Sequence, residues 1–272
     1  MVGSLVVLCA FVSLWCTNMD IRNRIALVTG GAHRIGKTIA LALAAEGAHV
    51  VITYNQSAAA AAQTVREIES LGVQTLAARL DQRETDQIDA LFAAIRDRFG
   101  RLDILINNAA IMERQPIFDI TPADWDRTLD TNLRGPFFVA QAAARLMLAS
   151  HPERSAAQLK GERGVIINIA DSSALRPWPS YIAHTISKAG LVALTRALAV
   201  ALAPSTRVNA LAPGFVLKPS DWSDEQWFKL ARRAPLARPG APDDVVQAVL
   251  YLIRSDFVTG ELLVLDGGRD LG

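Results

Sequence analysis

From Ile21 onward, short apolar runs alternate with longer segments in which apolar residues recur every three or four positions. The short runs are Ile25 to Val28, His49 to Thr53, Gln74 to Arg79, Ile104 to Ile106, Val165 to Ile169, Arg207 to Leu211 and Leu262 to Leu265. Continuous Val/Ile/Leu character predicts strands covered on both faces, as in a parallel sheet. Between them lie Ala-rich amphipathic stretches such as GKTIALALAAEG and TDQIDALFAAIRDRFG, each closed by a glycine suited to a left-handed C-cap. The alternation predicts an α/β, doubly wound Rossmann fold, with a mostly parallel sheet of about seven strands flanked by helices. A ligand is expected at the carboxyl ends of those strands.

Composition narrows this picture. The chain has 272 residues, 51% of them hydrophobic, and no linker divides it, so residues 19–272 are read as one domain around one core. Basic and acidic residues number 28 and 27, with no basic stripe, which argues against a nucleic-acid partner. Both cysteines, Cys9 and Cys16, precede that domain, leaving it no thiol for a disulfide, a zinc site or a nucleophile, and no metal site is expected. Residues 1–18 contain the apolar run VGSLVVLCAFVSLWC, shorter than the ~20 residues of a membrane-spanning helix. The run has the length of a signal-peptide core but lacks a basic start and a small-x-small cleavage site, and Met19 opens MDIRNRIALVTGG just before the first strand. A start at Met19, a signal segment and a membrane-associating segment all stay open. No stable membrane span is expected, and the domain is expected to be cytoplasmic.

The first strand runs into VTGGAHRIGK, which puts Gly30, Gly31 and Gly36 between a strand and a helix. Glycines there let the backbone approach a pyrophosphate, and the helix N-terminus offers unpaired N–H groups. An ordinary tight turn would use glycine too; the strand before and the helix after favour the phosphate site.

With this turn in place the chain resembles a short-chain dehydrogenase/reductase from Ile21 to Gly272. The family motif T-G-x3-G-x-G is met by Thr29, Gly30, Arg34 and Gly36, with Ile35 between the last two and Arg34 replacing the middle glycine. A guanidinium at this turn is placed to pair with a further anionic group, such as the 2′-phosphate of NADP. After the second strand, where an NAD enzyme would carry a carboxylate, the sequence reads ITYNQSAAA. Tyr54 and Ser57 are neutral, and Ser57 can either donate to that phosphate or cap the next helix. The resemblance therefore implies NADPH rather than NADH. It also implies an adenine contact from Asp81, a cofactor contact from the NNAA segment through Asn108 and Ala109, a nicotinamide-side turn at Pro213 and Gly214, and a relay-supporting Asn132.

The family's serine, tyrosine and lysine chemistry meets an altered site. Lys188 fixes the register: four residues earlier stands His184 instead of tyrosine, and thirteen before that stands Asp171 instead of serine. Aspartate at that position, with Arg34 and TYNQSAAAA, resembles the pteridine reductase branch, in which NADPH reduces a pterin ring. Met112 falls where that branch has a stacking aromatic residue. His184 and Lys188 lie about 6 Å apart along one helix face. Lys188 disfavours an imidazolium beside it, whereas Asp171 favours one, so a proton donor can persist near neutral pH. Tyr181, seven residues before the lysine, is displaced by about 4.5 Å from His184 along the axis and reads better as a pocket wall with Trp178. An inert His184, in a protein that binds NADP without turnover, stays open, as does a carbonyl or 3-oxoacyl reductase of the broader family. In the family the region after Pro213 forms a lid. Trp222, Trp227 and Phe228 can close over a flat ring there or merely pack down. A small-molecule substrate and a homo-oligomer, dimer or tetramer, complete the expectation.

Overall fold

A computed structural model describes residues 19–150, 164–218 and 222–271, and the apolar N-terminal segment, residues 1–18, lies outside the described residues. All seven apolar runs form strands: β1 (Ile25–Val28), β2 (His49–Tyr54), β3 (Thr75–Arg79), β4 (Ile104–Asn107), β5 (Gly164–Ile169), β6 (Thr206–Pro213) and β7 (Leu262–Leu265). The helices are α1 (Arg34–Ala45), α2 (Ala58–Glu69), α3 (Thr85–Phe99), α4 (Pro122–Leu129), α5 (Gly135–Ala149), α6 (Ile182–Leu202), α7 (Asp224–Ala231) and α8 (Pro242–Arg254). The strands form one sheet in the order β3-β2-β1-β4-β5-β6-β7. Every neighbouring pair is parallel, so the sheet is more uniform than the mostly parallel one expected.

Strand alternation sends side chains to two separate cores. Ala26 and Val28 of β1 join Ile39 and Leu43 of α1 and Val249 of α8 on one face. Ile25 and Leu27 join Ile88, Leu91 and Ile95 of α3 with Val139 and Ala143 of α5 on the other. The central strands are therefore buried on both faces, which is why they read as unbroken apolar runs. The expected C-caps form: Gly47 follows α1 at φ +87° and Gly100 ends α3 at φ +71°.

Helix α6 has the length and apolarity of a membrane span, 21 residues at a hydropathy of 1.5. It packs along β6, and its buried face carries His184, Thr185, Ser187 and Lys188, polar groups that it delivers to the carboxyl ends of β5 and β6.

Candidate active site

At the switch point between β1 and β4, a cavity of about 900 Å³ opens over the carboxyl ends of the strands. One end of it is made by the β1–α1 turn. Gly30 takes φ +64°, and a Cβ on Gly36 would lie 2.3 Å from the Gly30 carbonyl, so no other residue fits there without moving the turn. Thr29 Oγ1 accepts from the backbone N–H groups of Asn108 and Ala109 at 2.9 and 3.0 Å, and Asn108 Nδ2 donates to the Thr29 carbonyl at 2.9 Å. These bonds tie the glycine turn to the end of β4. His33, the N-cap of α1, supplies no capping side chain, and the first residues of the helix, Arg34 to Gly36, line the cavity. The turn thus fits an anionic phosphate.

Arg34 starts α1 at φ +54°, a left-handed backbone at the position where the family motif has glycine. Ser57 occupies the N-cap position of α2 but makes no capping bond, and its side chain lines the cavity. Asp81 does not stand free: Arg83 donates to it through Nε at 2.9 Å and Nη2 at 2.5 Å, and this holds its carboxyl below the usual range despite the opposing effect of burial. With Asp81 and Arg83 offsetting each other and no carboxylate at the end of β2, Arg34 gives this end of the cavity a cationic character.

At the other end, α6 and the turn after β5 bring together His184, Lys188 and Asp171. His184 is 4% exposed. Its Nδ1 lies 3.1 Å from the Ile111 carbonyl, and because a carbonyl only accepts, Nδ1 carries the proton. Nε2 is buried without a hydrogen-bond partner and stands 3.9 Å from Asp171 Oδ2, beyond hydrogen-bond reach and an ion pair only when the ring is doubly protonated. Burial pushes the Asp171 carboxyl up, but His184 and the Ser173 donors outweigh it and leave the group below the usual carboxylate range. Ser173 N donates to Asp171 Oδ1 at 2.7 Å. Lys188 donates to the Ile169 carbonyl at 2.7 Å, and burial lowers its pKa to about 8 against the opposing charge of Asp171.

Asn132 is buried in a π-helical turn, Asp130–Arg134, and does not line the cavity. Its Oδ1 accepts from Ile111 N at 2.9 Å, while Nδ2 donates to the Ile111 carbonyl at 2.8 Å and to Ser187 Oγ at 3.1 Å. Asn132 therefore reaches His184 through Ile111, whose carbonyl both residues share.

The remaining expected residues fall on the cavity wall: Ile35 and Tyr54 near the β1–α1 turn, Pro213 and Gly214 at the end of β6, and Met112, Trp178 and Tyr181 on the His184 side. Tyr181 sets its ring edge-on to Trp178, with centroids 5.8 Å apart, as a wall residue would. Of the three lid aromatics, Trp222 and Trp227 line the cavity. Phe228 does not: one residue beyond the buried Trp227 on α7, it is turned about 100° around the helix and stands half exposed. Three contributors escape sequence reasoning. Ile111 acts through its backbone, which leaves no residue signature. Phe215 and Arg269 meet on the wall, with the Arg269 guanidinium 4.0 Å from the Phe215 centroid. Their only sequence signal is position, just beyond the carboxyl ends of β6 and β7.

Residues 30–270 match the family described as Enoyl-(Acyl carrier protein) reductase. The chain is 36% identical over 263 residues to (2S)-[(R)-hydroxy(phenyl)methyl]succinyl-CoA dehydrogenase subunit BbsD of Thauera aromatica, covering 93% of this chain and 99% of that one. A 3-oxoacyl-[acyl-carrier-protein] reductase of Synechocystis sp. is 34% identical over 250 residues, 90% of this chain and 96% of that protein. Among solved structures, FolM alternative dihydrofolate reductase 1 from Brucella canis, complexed with NADP, superposes with a TM-score of 0.82 at 31% identity, covering 93% and 96% of the two chains.

Proposed function

Because the chain belongs to the short-chain dehydrogenase/reductase family, oxidoreductases that bind a nicotinamide cofactor, we propose that it is an NADPH-dependent reductase of a pterin-like C=N bond or a carbonyl, with His184 as proton donor. The observation that carries this reading is the buried, unpartnered Nε2 of His184, held beside Asp171 at the wall of the cavity. The Ile111 carbonyl keeps the first proton on Nδ1. A second proton, on Nε2, is the one available to the substrate, and the Asp171 carboxylate stabilises the imidazolium that carries it. Lys188 holds the ribose side of the cofactor, and Asn132 fixes the Ile111 carbonyl that orients the ring. The cofactor supplies the hydride. Arg34 and Ser57 favour the 2′-phosphate at a site with no carboxylate from the end of β2. The FolM structure supports a pterin-like substrate, and the 3-oxoacyl reductase supports a carbonyl.

A second reading is an NADP-binding protein without turnover. The fixed tautomer favours it, since a neutral His184 presents Nε2 as an acceptor. Assembly as a dimer or tetramer belongs to either reading. The edge strand β7 is only partly covered, and Phe257, in the turn leading to it, is fully exposed, a margin that a second copy would cover.

NADPH oxidation with dihydrobiopterin, dihydrofolate and a panel of ketones separates the readings in the wild type and in His184→Ala, His184→Tyr and Asp171→Ala. His184→Ala should lose activity by about 10²-fold or more. Activity equal to wild type would remove His184 as the donor. An inert wild type that gains activity as His184→Tyr would establish the binding protein instead.

A further inference from the structure

The substrate end of the cavity holds a cation that the proton chemistry above does not use. Arg269 follows β7 in a short 3-10 turn, Arg269–Leu271, and reaches back to the wall of the cavity. Its guanidinium lies 4.0 Å from the Phe215 ring centroid and 5.5 Å from that of Trp178. The two rings are near parallel, 17° apart, with centroids separated by 6.3 Å. Packing against aromatic faces fixes the guanidinium plane and leaves its N–H edge to find acceptors elsewhere.

Among the described residues, none accepts from the two donors that matter here. Arg269 Nη1 is buried without a hydrogen-bond partner, and so is Trp178 Nε1 beside it. Both groups are donors only. A buried donor left unpaired costs more than most hydrogen bonds contribute, so a pair of them on one cavity wall calls for a group that only accepts. The nearby carboxylates do not fill the role: Asp171 and Asp266 act on Arg269 by charge alone, while Asp171 is bonded to Ser173 and Asp266 accepts from the backbone N–H groups of Gly268 and Asp270.

We propose that Arg269 and Trp178 form an anion-recognition site, so that the substrate of this cavity carries a carboxylate in addition to its reducible bond. The carboxylate sits on the guanidinium edge and the indole N–H, its apolar body lies along Phe215 and Trp227, and its reducible bond faces His184. This deepens the reductase reading and rests on it for the position of the reacting bond, but the binding step requires no turnover. Two groups that only donate suit a carboxylate, whose oxygens only accept, whereas a neutral amide would set its own N–H₂ donors against them.

Calorimetric titration of the NADP⁺-loaded protein with benzoate, and with benzamide as the neutral counterpart, tests the site directly. Wild type should bind benzoate at least about tenfold more tightly than benzamide, and Arg269→Met should abolish that preference. Arg269→Lys keeps the charge without the fork and should retain part of it; Trp178→Phe keeps the ring without the N–H and should weaken benzoate severalfold. The last two variants decide the matter should Arg269→Met fail to fold. Equal binding of the two probes by wild type, or a preference that Arg269→Met, Arg269→Lys and Trp178→Phe all leave unchanged, overturns the proposal. A protein that binds benzoate through Arg269 yet oxidises no NADPH would sink the catalytic reading and leave this one standing.

Discussion

His184, Asp171 and Lys188 share one small volume, and their charges settle what each can do. Lys188 is fully enclosed, and desolvation lowers its pKa to about 8, with Asp171 working in the other direction. The sign follows directly: the ammonium is present below that value and is lost as pH rises through it. Turnover that depends on the charged lysine should therefore fall on an alkaline limb centred near pH 8, well below the range of an exposed lysine. Asp171→Asn removes the charge that holds the lysine up, so its limb should lie at lower pH than that of wild type. Profiles of kcat/KM for NADPH against pH, which report the groups of the free enzyme, read this directly. Coincident alkaline limbs for the two proteins would separate Lys188 from the pH dependence. None of this was visible as spacing alone: Lys188, His184 and Asp171 are identifiable by register, but the enclosure that shifts the lysine is a property of the packed sheet.

The π-helical turn between α4 and α5 shows how an element can serve a site that it does not line. A π turn admits an extra residue, and here it places Asn132 against the backbone of Ile111. The same Ile111 carbonyl receives His184 Nδ1 from α6, so the turn and the helix are coupled through one backbone oxygen. Asn132→Ala would leave the partly buried Ile111 N–H without this partner and would break the bond to Ser187 on α6. We expect a loss of stability of about 2 kcal/mol or more in chemical denaturation. A lower kcat should accompany it with NADPH affinity unchanged, because the cofactor end of the cavity is built from other elements. Weakened cofactor binding in parallel with kcat would mean that the turn supports the whole cavity rather than the orientation of His184. Sequence reasoning could place an asparagine at this position through the family pattern; its partner is a backbone group, and backbone groups carry no residue identity.

Across the whole molecule, the strands were readable because burial on both faces forces unbroken Ile/Val/Leu runs, and the phosphate turn because only glycine tolerates the approach of Gly36 to Gly30. What joins distant ends of the chain was not readable: Arg269 reaches Trp178 only because β7 lies beside β6, and Asp81 is neutralised only because the Arg83 side chain folds back upon it. At Arg34, backbone strain and the proposed 2′-phosphate contact pull in opposite directions. Its left-handed backbone, φ +54°, costs about 1 kcal/mol or more that glycine would avoid. If the arginine is kept to hold the 2′-phosphate, Arg34→Gly should raise the melting temperature of the cofactor-free protein by about 2–4 °C. Ligand linkage then supplies the complementary readout. At a hundredfold excess over Kd, NADPH should stabilise the wild type by about 2.7 kcal/mol, and NADH by less at the same concentration. In Arg34→Gly the advantage of NADPH over NADH should shrink. Thermal melts of both proteins, with and without each dinucleotide, measure all of these quantities together. An apo protein destabilised by the glycine would show that the strain is compensated locally, and an undiminished NADPH advantage would move phosphate recognition away from Arg34, to Ser57 and its neighbours.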